Sequence, residues 1–194
     1  MHTLALRIQQ FFNPLHPAPI EHWQGFAEKT QLRRFKKNEI VKKAGNTERY
    51  LSFVTEGIGG TFAYKEGHEV CLDISLENQF LSDYASFLQQ QASPIFTLAI
   101  ESLELYSIAY TDLQALYSAS IGGVHLARAA AEALFIENQR RQLDLLTKSA
   151  EERYREIFEM YPEVLLRLPQ KHIASYLGIT PESLSRIRKS IARL

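Results

Sequence analysis

The chain has 194 residues, with 22 Lys and Arg against 22 Asp and Glu, 45% hydrophobic and 23% charged residues. That length can bury one large core or two small ones, and the composition excludes collagen-like, disordered and low-complexity classes. No run approaches the ~18 consecutive apolar residues that span a bilayer, and the amphipathic start at 1–12 lacks a signal-peptide core, so a soluble cytoplasmic protein without membrane association is expected. The single cysteine, Cys71, cannot form an internal disulfide or hold a structural zinc or an iron–sulfur cluster alone. A net charge of zero argues at first against a polyanion-binding protein, but the charges are unevenly placed. Residues 164–194 carry six bases (Arg167, Lys171, Arg186, Arg188, Lys189, Arg193) against one acid, Glu182, a net +5, leaving −5 on residues 1–163. Such a split points to a basic contact surface on a small C-terminal module.

In chain order, 3–12 and 20–29 have helical apolar spacing and are separated by Asn13-Pro14, Pro17 and Pro19, which predicts two short leading helices. From Thr30 to about Tyr110 the texture changes to short β-branched and aromatic runs. Turn signals at Lys37-Asn38, Gly45-Asn46, Glu56-Gly57 and Glu66-Gly67 predict an antiparallel sandwich or barrel. The expected strands are 32–36, 39–43, 50–55, 59–64, 68–74, 95–99 and 104–109, a set that fits a jelly roll. The segment 78–91 is too polar for a simple hairpin and reads as a short helix plus a loop. Gly57 to Gly60 reads as a hairpin with a bulge, since no helix follows to bind phosphate.

Thr111 is expected to cap a short helix through Tyr117, followed by a long helix over 123–147. Along the latter, Val124, Ala127, Ala131, Leu134, Asn138 and Leu145 form a stripe, widened by Leu126, Ala130, Ala133 and Phe135. At about 1.5 Å per residue this rod is roughly 37 Å long, which fits a two-stranded seam between copies of the chain, with Asn138 setting register. A core helix packed on its own barrel is the alternative. A hinge at 147–150 precedes a helix over 151–161, a break at Pro162, and 163–167 leading to Pro169.

The last 25 residues carry the most information. Residues 169–177 start at a proline and stop at Gly178; Gly178-Ile179-Thr180 is a short turn, Thr180 can cap the next helix, and Pro181 suits its first position. Helix, Gly-containing turn and helix make a helix-turn-helix. On the second helix, 181–193, Leu184, Ile187 and Ile191 pack inward, opposite Ile173, Ala174, Leu177 and Ile179. Its far face carries Glu182, Arg186, Lys189 and Arg193, with Ser183, Ser185 and Ser190 at the side. These residue types suit a major groove: Arg for guanine edges, Glu for cytosine amino groups, Ser and Lys for bases or phosphates. A solvated helix with an ordinary Glu182/Arg186 pair is the bland alternative.

Over essentially its whole length the sequence resembles the Crp/Fnr superfamily of bacterial transcription regulators, most strongly in IASYLGITPESLSRIRK and, before it, SAEERYREIFEMYP. The resemblance implies an α+β chain: an N-terminal antiparallel β-roll (jelly roll) with its leading helices over 1–118, a dimerisation helix over 119–147, and a small winged helix-turn-helix over 148–194. It implies a homodimer through 124–145, palindromic double-stranded DNA as partner, and RNA polymerase as a further one. The DNA-contacting set is Thr180, Glu182, Ser183, Ser185, Arg186 and Lys189, of which Glu182, Ser183 and Arg186 match the family's contact positions. Pro181 stands where many members have arginine, and the sequence stops at Leu194, directly after this helix.

Cyclic-AMP-binding members carry a cassette with Gly-Glu-Leu and, about ten residues on, Arg-Ser. Here Ser82-Asp83-Tyr84 lies over the first element and Ala92-Ser93 over the second, giving Asp83, Tyr84 and Ser93 as a candidate ligand pocket. The cation that should neutralise a cyclic phosphate is missing, so cyclic nucleotide is not expected and any effector is another small molecule. No other cofactor or metal is expected. Of six histidines only His68 falls in the roll, and His68 and Cys71 point to opposite faces of one strand. Trp23 reads as a core or lid aromatic. No reaction is implied. A ligand-sensing or protein-interaction module whose last helices do not read DNA is the alternative.

Overall fold

The computed structural model describes residues 1–14 and 17–191. Helices α1 (His2–Phe12) and α2 (Ile20–Glu28) precede strands β1 (Gln31–Phe35), β2 (Ile40–Lys42), β3 (Tyr50–Glu56), β4 (Gly59–Lys65), β5 (His68–Ser75) and β6 (Phe80–Leu81). After α3 (Tyr84–Gln89) come β7 (Phe96–Ala99) and β8 (Leu103–Ala109), then α4 (Tyr110–Ser118), α5 (Ile121–Thr147), α6 (Ala150–Met160), α7 (Pro162–Arg167), α8 (Gln170–Tyr176) and α9 (Pro181–Ile191). The strands form two antiparallel four-stranded sheets, ordered β1-β8-β3-β6 and β2-β7-β4-β5.

The sheets close on Val54, Leu81, Ala99, Leu103 and Leu105. A second core lies where α1, α2 and α4 cover the first sheet: Ile8, Phe12, Trp23 and Phe26 meet Phe53, Phe87, Ile108 and Leu113. Trp23 is a core residue, 1% exposed and stacked on Phe12. A third core runs without a break from Ile58, Phe62 and Phe96 in the roll to Tyr154, Leu165, Ile173, Leu177 and Leu184 in the C-terminal helices. The C-terminal helices therefore share apolar packing with the second sheet.

The turn signals sit where the backbone needs them: Asn38, Gly45, Gly57 and Gly67 all have positive φ. Four expectations are corrected. Gly57 to Gly60 is not a hairpin, because β3 and β4 lie in different sheets and the segment is a corner between them. Gly57 turns that corner at φ +85°, and a Cβ there would lie 2.0 Å from the Ser102 carbonyl oxygen. The helix-plus-loop segment also contains β6, a two-residue strand too short to leave a period-2 pattern. Thr111 does not cap α4; Ala109 holds that position without a side-chain bond. The long helix starts earlier than expected, because the Ser120 side chain caps it on the Gly123 N–H.

Helix α6 opens with a capping box between Ser149 and Glu152, which sets off the expected hinge. All described strands end by Ala109, so the wing that the resemblance implies has no strand among the described residues, and Arg193 lies outside them.

Replacing Gly57 by alanine should destabilise the fold by about 3 kcal/mol, because positive-φ strain adds to a backbone clash. Gly45→Ala, also at positive φ but with open space around its Cβ, should cost only about 1–2 kcal/mol. Urea unfolding of both variants checks the contrast; equal losses would contradict it.

Candidate functional site

The sequence-predicted helix pair is present. Helix α8 ends at Gly178, φ +69°, where a left-handed backbone lets the chain reverse. Thr180 Oγ1 then accepts from the Ser183 N–H at 3.2 Å, capping α9, and Pro181 fills the first turn. Leu184 is fully buried, with Ile187 and Ile191 packed beside it. Thr180, Glu182, Arg186 and Lys189 are exposed on the opposite side, and Ser183 and Ser185 are half-buried at its edge. The Glu182 carboxyl is held below its ordinary range by its own backbone N–H at the helix start and by Thr180, so it is a carboxylate acceptor at neutral pH. Among the described residues Arg186 makes no ion pair, leaving its five donors open to an external acceptor.

The helix pair is fastened to the roll. Strand β5 is an edge of its sheet, and Ser175 Oγ of α8 accepts from the Cys71 N–H at 2.8 Å, covering part of that edge. Arg167 reaches Glu77 at 2.6 Å and Glu101 at 2.5 Å, and Lys171 reaches Glu69 at 3.5 Å. Arg141 of α5 pairs with Asp73 of β5 at 3.0 Å while its guanidinium lies over the Tyr176 ring of α8 at 4.3 Å, joining three elements. Arg153 donates to the Leu177 carbonyl at 2.6 Å and to that of Lys148 at 2.5 Å, tying the segment between α5 and α6 to the helix pair. His172 is buried against Phe62, with ring centroids 5.0 Å apart. Burial also pushes the Cys71 thiol up to about 12, which makes it an inert core group.

The candidate ligand pocket is only partly assembled. Asp83 and Ser93 meet, and the Ser93 hydroxyl donates to the Asp83 carboxylate. Tyr84 does not join them; it packs on Phe87, against the core under the leading helices. The space between Asp83 and Ser93 is taken by Lys42, which the sequence reading missed. Its ammonium donates to Asp83 Oδ2 at 2.7 Å, Ser93 Oγ at 2.9 Å and the Ile95 carbonyl at 2.8 Å, using all three donors. The pair is buried, with side-chain exposures of 5% and 1%. Asp83 also caps α3 on the Ser86 N–H. Beside it Glu48, 5% exposed, accepts from the backbone N–H groups of Arg49 at 3.0 Å and Tyr50 at 3.1 Å. Burial raises the Glu48 carboxyl, against those bonds and the charge on Lys42. An internal cation and an internal anion thus fill the place expected for a ligand. No local pattern announces it: β2 is irregular between Ile40 and Lys42, so strict alternation does not place Lys42, and its partner lies 41 residues on.

Among the described residues no group of histidine, cysteine and acidic side chains is arranged to hold a metal, and no helix is long and apolar enough to cross a membrane.

Neither a family model nor a curated protein matches the sequence. Solved structures do. FixK2 from Bradyrhizobium japonicum superposes with a TM-score of 0.72 at 16% identity, covering 84% of this chain and 85% of that one. The c-di-GMP responsive global regulator CLP of Xanthomonas campestris gives 0.69 at 18% identity, covering 90% and 92%. The catabolite activator protein of Thermus thermophilus gives 0.57 at 22% identity, covering 94% and 86%. The fold is therefore that of Crp/Fnr regulators.

Lys42→Met strands a buried carboxylate and should cost roughly 3–5 kcal/mol in urea unfolding; adding Asp83→Asn, which keeps a capping side chain, should restore part of that loss. No loss in Lys42→Met would contradict the pairing. Burial holds the His172 imidazole below its ordinary range. The unfolded chain therefore takes up a proton there first, and this contribution to stability is present above pH ~6.5 and is lost as pH falls toward the depressed folded value. His172→Gln should flatten that part of the stability profile.

Proposed function

We propose that the chain is a sequence-specific, DNA-binding transcription regulator that works as a homodimer. The observation that carries this reading is α9, whose one side is buried on Leu184 while Glu182, Arg186 and Lys189 project from the other, in a chain with the fold of Crp/Fnr regulators. In the proposed division, 1–118 is the sensing or scaffolding roll, 119–147 the dimerisation helix and 148–194 the reading head. Thr180, Ser183 and Ser185 place the head on phosphates or edges, and Arg186 is the residue suited to bidentate contact with a guanine.

The dimer reading rests on α5. None of its residues is buried, and it exposes Val124, Phe135, Ile136 and Leu143. Two copies joined along 124–145 would present their α9 helices to successive major grooves about 34 Å apart, which calls for a palindromic site. RNA polymerase is a further partner in this reading, and no catalysis is assigned. The buried Lys42–Asp83 pair favours a roll that takes no cyclic nucleotide, since a phosphate would have to displace a saturated ion pair. The regulator is then either constitutive or controlled by another small molecule.

Arg186→Ala should lower affinity for a selected duplex by about 1–3 kcal/mol and relax preference at one base position, read by competition against single-position variants of the site. An equal loss on every sequence would make Arg186 a phosphate contact instead. Phe135→Glu should convert a dimer to a monomer at micromolar concentration in mass measurements, and a monomeric unaltered chain would overturn the seam.

A further inference from the structure

The start of α9 differs in chemistry from the rest of its exposed side. Arg186 and Lys189, further along the helix, are exposed cations suited to guanine or phosphate. The leading turn, from its cap Thr180 to Ser183, holds no cation. Its donors are largely engaged within it. The Ser183 N–H goes to Thr180 Oγ1 at 3.2 Å, the Thr180 hydroxyl donates to Ser183 Oγ at 3.2 Å, and the Glu182 N–H turns to its own carboxylate. Pro181 has no N–H to give. What this turn offers outward is one carboxylate and one pyrrolidine ring, since Glu182 and Pro181 are both exposed.

On duplex DNA these two groups suit base edges and not the backbone. A carboxylate is repelled by a row of phosphates, whereas the major groove offers it the amino groups of cytosine and adenine. The leading turn of α9 is therefore the part that enters the groove, as the N-terminal end of a reading helix does. Pro181 directly precedes Glu182 and enters with it. It can neither donate nor accept from its side chain, and the one apolar group on a major-groove edge is the C5-methyl of thymine.

We infer that Pro181 is a specificity-determining residue, which selects a thymine in each half-site by packing its ring on the C5-methyl group. The inference rests on the DNA-binding reading and adds to it a residue and the base that it recognises. The ring is held ready for the contact: proline fixes its own φ, and burying it costs almost no side-chain entropy. Proline at a first helical position also helps to start the helix. That role is indifferent to the sequence of the duplex, whereas the contact is sensitive to a single methyl group on one base.

Exchanging thymine for deoxyuridine removes the methyl and leaves every hydrogen-bonding group of the base in place. A duplex is enriched from a random library with the full chain, and each thymine of its half-sites is then exchanged in turn. One position, the same in both halves, should weaken binding by about fourfold per half-site, the worth of one buried methyl. Pro181→Ser should bind the thymine and deoxyuridine duplexes equally. Pro181→Val, which keeps an apolar side chain there, should restore the difference. Each comparison is made between two duplexes on one protein, so any change in stability caused by the substitution cancels. If no exchange weakens binding to the unaltered chain, or if Pro181→Ser keeps the loss, the contact is overturned while the regulator reading stands. A chain that enriches no duplex overturns both.

Discussion

Helix α5 sets the constraint on which the rest of the molecule depends. It runs for 27 residues without burying one side chain in its own chain. Only Leu126 and Ala130 lean on the core beneath the leading helices. Val124, Phe135, Ile136, Leu143 and Leu146 are each more than half exposed. Covering a large apolar side chain is worth about 1.5–3 kcal/mol, and a soluble chain rarely leaves so long an apolar strip to water. In the proposed dimer a second copy laid along α5 would meet that demand and would set two C-terminal helix pairs side by side.

The C-terminal helices follow α5 in the chain and are also held by the roll. Arg141 lies on the helix, pairs with β5 and covers Tyr176 of α8. Arg167 bridges Glu77 and Glu101. Each of these ion pairs is partly solvated and weak alone, but together with the continuous core through Phe62, Ile173 and Leu184 they fix where α9 points. The Lys42–Asp83–Ser93 cluster does a different job. A buried ion pair adds little net stability over an apolar substitute, yet it joins β2, the start of α3 and the segment before β7 into one unit. That unit occupies the place where the family's cyclic-nucleotide cassette would lie.

Much of this was legible in the sequence. The period changes at Thr30 and Tyr110 mark the roll, the Gly178-Ile179-Thr180 turn and Pro181 mark α8 and α9, and the +5 charge singles out the tail. Two local features escaped because they depend on partners distant in sequence. Whether β3 and β4 pair is decided by sheet topology and not by the glycines between them. Lys42 meets Asp83 across 41 residues, and no pattern local to either residue encodes that meeting. Tyr84 was misplaced because its neighbour Asp83 turns inward as a cap, while the helix that follows carries the ring to the opposite core. The apolar stripe on α5 was read as one seam. The helix presents two sides, with Leu126 and Ala130 turned to the roll and the remainder outward.

The central claim, a dimer that reads DNA sequence, is tested most directly by measuring the affinity of the full chain for a duplex enriched from a random library against a scrambled duplex, across a salt series. The account predicts a selected site bound at least ~1,000-fold tighter than the scrambled one at physiological salt, with affinity for both falling steeply as salt rises because phosphate contacts release counterions. Equal affinity for the two duplexes, or binding indifferent to salt, would contradict it.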